Sequence, residues 1–336
     1  MSEYQEIHTP LKAPVLCDIF EAAKVIRNYL PPTPFHRYPA LDALIGAQLY
    51  VKHENAQPVG AFKVRGGVNL ISRLNENEKK KGVICASTGN HGQSIAFASR
   101  LFGVTARIVV PHGANPGKVA AMQGMGAHVI FHGAHFDDAR YYCESLSGSE
   151  GYRYIHSGDE PLLISGVATQ TLEMIQAQPD LNIIFVPVGG GSGAAGACIV
   201  AKGIRPSLRV IGVQSEAAPA AYETWRQGKM IKIRSETSAE GLATGAPFAL
   251  PQTIMRKLMD DFILVSDAEI HQAVFWMIER THTLAEPAGA APLAAAYRLR
   301  ESIRGLKIGL ICSGGNISIK ELKQILQNTD PDRSSD

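Results

Sequence analysis

Hydrophobic positions along the chain fall into a repeating two-part pattern. Short runs rich in β-branched residues at 82–86, 106–110 and 128–131 are each followed by an amphipathic, helix-like stretch, at 92–102, 118–124 and 137–146. After a break at 151–159 the rhythm resumes with a helix around 169–178, a strand at 183–188, a helix from Gly193 and a strand at 209–214. Apolar runs separated by helical segments predict parallel strands covered by helices on both faces, an α/β fold. Between Trp225 and Ile254 the pattern weakens around Gly228, Gly241, Gly245, Pro247 and Pro251, which predicts loops and short helices crossing a surface or cleft. Helices follow at 267–280 and 288–301, a strand at 307–311 and a last helix from Ile319, before a polar tail at 330–336.

Composition narrows the class. A chain of 336 residues is long enough for two domains, and 45% hydrophobic with 19% charged residues is the make-up of an ordinary globular protein. A net charge of +2 is too small for a nucleic-acid-binding field, and the short run Lys79, Lys80, Lys81 reads as a solvated helix end. Cys17, Cys85, Cys143, Cys198 and Cys312 are odd in number and scattered, so neither a disulfide framework nor a thiolate metal site is indicated. The polar stretch at 1–10 has no apolar leader core, and no run reaches the roughly 18 apolar residues of a membrane span. A cytoplasmic protein with no membrane or nucleic-acid partner is expected.

Four stretches can carry chemistry. The first runs from Lys52 to Gly67 and places Lys63 just inside a helix N-terminus, where the dipole should lower its pKa. Read alone, it is an ordinary surface lysine, as most lysines in such positions are. The second, Ser87-Thr-Gly-Asn-His91, follows a strand and precedes a helix, so its hydroxyls and free N–H groups suit a carboxylate, or simply cap the helix. The third, Gly189-Gly-Gly-Ser-Gly193, opens another helix after a strand and suits a phosphate. It also contains a G-x-G-x-x-G at Gly191, Gly193 and Gly196, with Glu216 twenty residues on, so an NAD(P)-dependent oxidoreductase is a rival. The fourth is Ser313-Gly-Gly-Asn316 at the end of a strand, with Glu286-Pro-Ala-Gly upstream; each piece alone reads as a turn or cap. His128, His132 and His135 lie close in sequence but do not share a face of a strand, so they are read as coincidence rather than a metal site.

In this order and spacing the four stretches resemble the fold type II pyridoxal 5′-phosphate (PLP) enzymes, in particular the serine/threonine dehydratase and serine racemase group. The resemblance spans most of the chain. It implies two open parallel-sheet α/β domains related to the tryptophan synthase β fold, with the cofactor in the cleft between them. The large PLP-binding domain would be 1–81 with 160–336, and the small mobile domain 82–159. Lys63 would carry PLP as a Schiff base, with Phe62 beside the ring, Asn90 on its oxygen, and Ser313, Gly314 and Glu286 around it. Gly189, Gly190, Gly191, Ser192 and Gly193 would hold the phosphate. Ser87, Thr88, Gly89, Asn90 and His91 would bind the substrate carboxylate, and Lys63, Ser87 and Thr88 are the candidate catalytic residues.

The same resemblance implies a dehydratase, or ammonia-lyase, converting a β-hydroxy amino acid to a 2-oxo acid and ammonia, and a homodimer. A neutral Ser313 opposite the pyridine nitrogen delocalises charge less than a carboxylate would, which favours elimination over transamination. Several departures refine the expectation. Thr88 stands where the racemases have a serine acting as acid, which disfavours two-base racemisation, the in-class alternative. Gln214 and Ala220 replace the carboxylates of the metal-binding branch, so no divalent metal is expected, although Glu216 lies nearby. Gly166-Val-Ala-Thr169 replaces a G-Q-G-T element, which leaves threonine, serine and a bulkier substrate such as phenylserine open. The chain ends too early for the regulatory domain of biosynthetic threonine deaminases, so isoleucine feedback is not expected.

Overall fold

The apolar runs form two separate sheets in the computed structural model, which describes Ile7 and residues 9–329; the tail at 330–336 and most of 1–8 lie outside the described residues. The larger sheet has strands β1 (Phe35–Arg37), β2 (Gln48–His53), β7 (Ile183–Pro187), β8 (Arg209–Ser215), β9 (Asp261–Val265) and β10 (Lys307–Cys312), in the order β1-β2-β10-β7-β8-β9. The smaller has β3 (Val83–Ala86), β4 (Ala106–Val110), β5 (His128–Phe131) and β6 (Arg153–Tyr154), in the order β5-β4-β3-β6. Every neighbouring pair is parallel except β1 and β2. That exception departs from the all-parallel expectation because the ten residues at 38–47, which include α2 (Pro39–Ile45), are too few for a parallel crossover.

Helices cover both sheets. Around the smaller one lie α5 (Asn90–Leu101), α6 (Pro116–Gly124) and α7 (Phe136–Glu150). The larger is covered by α8 (Pro161–Ala177), α9 (Ser192–Ile204), α10 (Ala220–Gln227), α11 (Ala249–Leu258), α12 (Asp267–Thr281), α13 (Pro287–Arg298) and α14 (Ile319–Gln327). Four α-helices precede the smaller sheet in sequence: α2 and, besides it, α1 (Leu16–Ile26), α3 (Lys63–Ile71) and α4 (Glu76–Lys81), whose last turn carries the lysine cluster. The cores follow the layers. Ala22 and Ile26 of α1 and Val64, Val68 and Ile71 of α3 join Val83, Ile95 and Ile108 in one buried cluster, so α3 is built into the core of the smaller sheet. Its opposite side meets α8 so closely that a Cβ on Gly66 would sit 3.0 Å from the Leu163 carbonyl, and one on Gly166 2.6 Å from that of Arg65. Helix α3 thereby ties the two layers together.

A buried charge network fixes it there. Arg65, fully buried in the first turn of α3, donates to both oxygens of Glu54 at 2.7 and 2.8 Å and to both oxygens of Glu173 at 2.7 and 2.8 Å. Lys52 also reaches Glu173 and the Thr33 carbonyl, and the Thr33 hydroxyl donates to Glu54 at 2.6 Å. Neither carboxylate is left facing an apolar wall, which is the condition for burying such charges. Thr169 belongs to the same network, accepting from Arg65 at 3.2 Å, while Val167 and Ala168 are buried. The Gly166–Thr169 element therefore supports α3 through packing and through one hydroxyl.

Candidate active site

The carboxyl ends of β2, β7 and β10, together with the loop after β3, deliver the four motifs to one place. After β2 the chain runs alongside the turn that ends β10: Phe62 N–H donates to the Ser313 carbonyl at 2.9 Å, Gly315 N–H to that of Gly60 at 2.9 Å, and Ala61 bridges Gly314. The Asn316 amide donates to the Val59 carbonyl at 2.8 Å. This pairing sets the direction in which α3 starts, with Lys63 as its first residue.

Lys63 Nζ donates to the Ser192 hydroxyl at 3.0 Å and to the Ser157 carbonyl at 3.2 Å. Burial lowers its pKa to about 8. Desolvation is thus the cause the structure shows, where the sequence had suggested the helix dipole. The amine rests beside the Phe62 ring, 5.4 Å from its centroid.

Ser192 is also the first residue of α9, reached from β7 through Gly189, Gly190 and Gly191. Gly191 takes φ +89°, a left-handed conformation at the start of α9, whose first N–H groups have no partner within the helix. Side chains are excluded elsewhere in this loop by contact. A Cβ on Gly189 would overlap the Gly241 carbonyl, one on Gly190 the Phe248 ring, and one on Gly193 would lie 3.0 Å from Phe62. Phe248 is itself held by His156, ring edge to face at 4.6 Å, and by Gly158. A helix start with free N–H groups lies beside a half-buried amine whose pKa is lowered to about 8, and this pair fits a phosphorylated aldehyde cofactor.

The loop after β3 faces this pair. Helix α5 starts at Asn90, two residues earlier than expected, because the Ser87 hydroxyl accepts from the N–H groups of Gly92 at 2.8 Å and Gly89 at 3.2 Å. Ser87 is a local cap that leaves its own hydroxyl proton free to donate. Asn90 donates to Glu286 at 2.8 Å and accepts from Asn316 at 2.7 Å. Glu286 is pushed up to about 7 by burial, and its Oε1 would lie 2.5 Å from a Cβ on Gly314. His91 is driven down to about 3 by burial and then by the Lys63 charge, so it is neutral; one ring nitrogen is 3.4 Å from the Ile155 carbonyl. Ser313 is buried at the end of β10.

Other sequence features fall elsewhere. Glu216 pairs with Arg298 at 3.0 Å rather than facing the glycine loop, and Gly196 lets α9 touch Ala168 of α8. The G-x-G-x-x-G is therefore a glycine turn at a helix start followed by a helix-packing contact, and the dinucleotide reading lapses. Gln214 is buried and accepts from Tyr222 N–H at 3.0 Å. His132 stacks on Tyr142. Among the described residues, no group of three or more His, Cys, Asp or Glu is placed to hold a metal ion, and no helix is long and apolar enough to cross a membrane. Sequence reading missed Ser157, Phe248, Lys118 and Glu240, which reach the site from loops and helix ends. It also missed Gln170, whose buried carboxamide has no hydrogen-bond partner among the described residues and lies 3.8 Å from a Cβ position on Gly193. Only Gly241, in the weakly patterned segment, carried a signal.

Residues 26–314 match the family described as "Pyridoxal-phosphate dependent enzyme". The chain belongs to this family. Its cofactor is pyridoxal phosphate. Among relatives of this PLP enzyme, an L-threonine ammonia-lyase of Thermotoga maritima is 34% identical over 310 residues, covering 92% of this chain and 77% of that one. An L-threo-3-hydroxyaspartate ammonia-lyase of Saccharomyces cerevisiae is 34% identical over 314 residues, covering 93% and 96%. Maize serine racemase superposes with a TM-score of 0.89 at 33% identity, covering 94% and 98%.

Proposed function

We propose that this PLP enzyme is a dehydratase, or ammonia-lyase, that converts a β-hydroxy amino acid to a 2-oxo acid and ammonia. The observation that carries the reading is the contact of Lys63 Nζ with Ser192 at the start of α9, opposite a carboxylate-binding loop that holds no charge of its own. Two of the relatives bear ammonia-lyase names. Bound PLP supplies the electron sink for the bond broken at Cα.

The chain's own residues do the rest. The N–H groups of Gly189, Gly190, Gly191, Ser192 and Gly193 would hold the phosphate, and Phe62 would wall the ring. Ser313 would present a neutral hydroxyl to the ring nitrogen, while Asn90, steadied by Glu286 and Asn316, would meet the ring oxygen. The hydroxyls of Ser87 and Thr88 and the N–H groups of Gly89, Asn90 and His91 bind the substrate carboxylate; the hydroxyl proton that Ser87 does not need for capping points to this role. Lys63 takes the proton from Cα, a task suited to an amine of pKa about 8. The β-hydroxyl departs with one proton as water, so that the Cα proton and the hydroxyl are lost together, and addition of one water to the released enamine gives the 2-oxo acid and ammonia. The unit at 82–159 closes over that of 1–81 and 160–336 to keep water out. The protein works as a homodimer in the cytoplasm; its five unpaired cysteines suit a reducing compartment.

A second reading is racemisation, favoured by the superposition on serine racemase. Incubation with serine, threonine, threo-3-hydroxyaspartate and phenylserine, assaying 2-oxo acid and the chirality of the remaining substrate, separates the two. Oxo acid release with retained chirality supports the dehydratase. Chirality loss without oxo acid establishes the racemase.

A further inference from the structure

Lys118 lies in the first turn of α6, on the smaller sheet, and reaches out of that layer. Its ammonium forms an ion pair with Glu240, in the 3-10 turn Glu240–Leu242 across the cleft. That turn is anchored to the site. The Gly241 carbonyl abuts Gly189 of the phosphate loop, and a Cβ on Gly241 would lie 2.6 Å from Ala288 and 3.8 Å from Glu286 Oε1. On its other side, Lys118 Nζ is 3.9 Å from the point where a side chain on Gly89 would begin. One cation therefore touches both the turn beside the phosphate loop and the loop read above as the carboxylate site.

The other ion pairs that leave the stretch 82–159, among the described residues, are those of Arg153 with Glu78 and Glu160, immediately outside its two ends. Lys118 with Glu240 is the pair that spans the opening. Its side chains are 14% and 61% exposed, so water competes with it and it can break and re-form during turnover. The Lys118 charge also acts on Glu286 and Glu321, lowering each carboxyl against the burial that raises it.

We propose that the Lys118–Glu240 pair is a latch that holds the Ser87–His91 loop against the cofactor cleft, making Lys118 a positioning residue for the substrate carboxylate. The proposal rests on the dehydratase reading for that loop. The test compares holoenzymes carrying Lys118→Gln, Glu240→Gln, both changes, and the exchange Lys118→Glu with Glu240→Lys. Each single change is expected to raise KM about 3- to 5-fold with little change in kcat, as befits a partly exposed pair. The double change should be no worse than either single one, and the exchange should recover most of the loss. Independent effects of the two single changes with no recovery by the exchange would overturn the latch. Amide hydrogen exchange at 112–124 in the resting holoenzyme gives a second reading that needs no turnover. Faster exchange in Glu240→Gln supports the latch, and unchanged exchange refutes it. If the wild type turns over none of the β-hydroxy amino acids, the dehydratase reading fails while this exchange measurement still decides the latch.

Discussion

Lys63 and Ser192 are 129 residues apart in sequence, and their side chains meet at 3.0 Å where the first turns of α3 and α9 converge. One helix start brings the amine and the other a set of free N–H groups, so this contact fixes the spacing between the two groups that, on the proposed reading, a phosphorylated aldehyde needs.

Lys63→Ala should abolish the visible absorption of the purified holoenzyme and lower oxo acid release by at least about 1,000-fold. Borohydride treatment followed by peptide mass mapping should place the reduced pyridoxyl group on Lys63 in the wild type. A label on any other lysine would contradict the assignment.

Ser192→Ala removes the side-chain partner of the amine and a hydroxyl at the start of α9. Losing one hydrogen bond to a charged group corresponds to roughly a 10- to 100-fold weaker hold on the cofactor. Spectroscopic titration of apoenzyme with PLP measures it, and circular dichroism should show the fold unchanged.

Arg65→Met should destabilise the protein by about 3–5 kcal/mol, because Glu54 is left buried beside Glu173 without the guanidinium that pairs them. Urea unfolding of the holoenzyme reports the loss. Arg65→Lys should recover only part of it, since an ammonium cannot serve two carboxylates through four bonds.

Glu286 gives the pH dependence. Its folded pKa is raised by burial to about 7, above the ordinary 4.5, so between those values the folded state keeps a proton that the unfolded state releases. This contribution is fully present below about pH 4.5 and is lost as pH rises through about 7. Over that span the wild type should lose on the order of 3 kcal/mol more than Glu286→Gln. Parallel curves for the two proteins in denaturant unfolding at several pH values would refute the assignment.

Much of this was legible because the chemistry sits at strand ends. The runs at 106–110 and 128–131 are strands with those bounds, and their apolar β-branched residues have no helical period to compete. Strand β9 escaped notice because Asp261–Val265 is an edge strand that directly follows α11, with only two of its five residues buried. The Ser87–His91 motif was readable as a carboxylate site or a cap; in the structure Ser87 caps α5. The Arg65 network could not be read at all. Thr33, Lys52, Glu54, Arg65 and Glu173 share no spacing, and only the tertiary fold shows that their charges cancel.

The order β1-β2-β10-β7-β8-β9 places a strand from the chain's last tenth between one that ends at His53 and one that begins at Ile183. The wall that carries Ser313 thus depends on pairings of β10 with distant segments, the kind that form slowly because loop closure must come before any contact is gained. A nascent or truncated chain lacking β10 has neither Ser313 nor the partner strand that seats β2. The holoenzyme should therefore assemble only after synthesis of the whole catalytic chain, with cofactor capture drawing the last folding step forward by mass action.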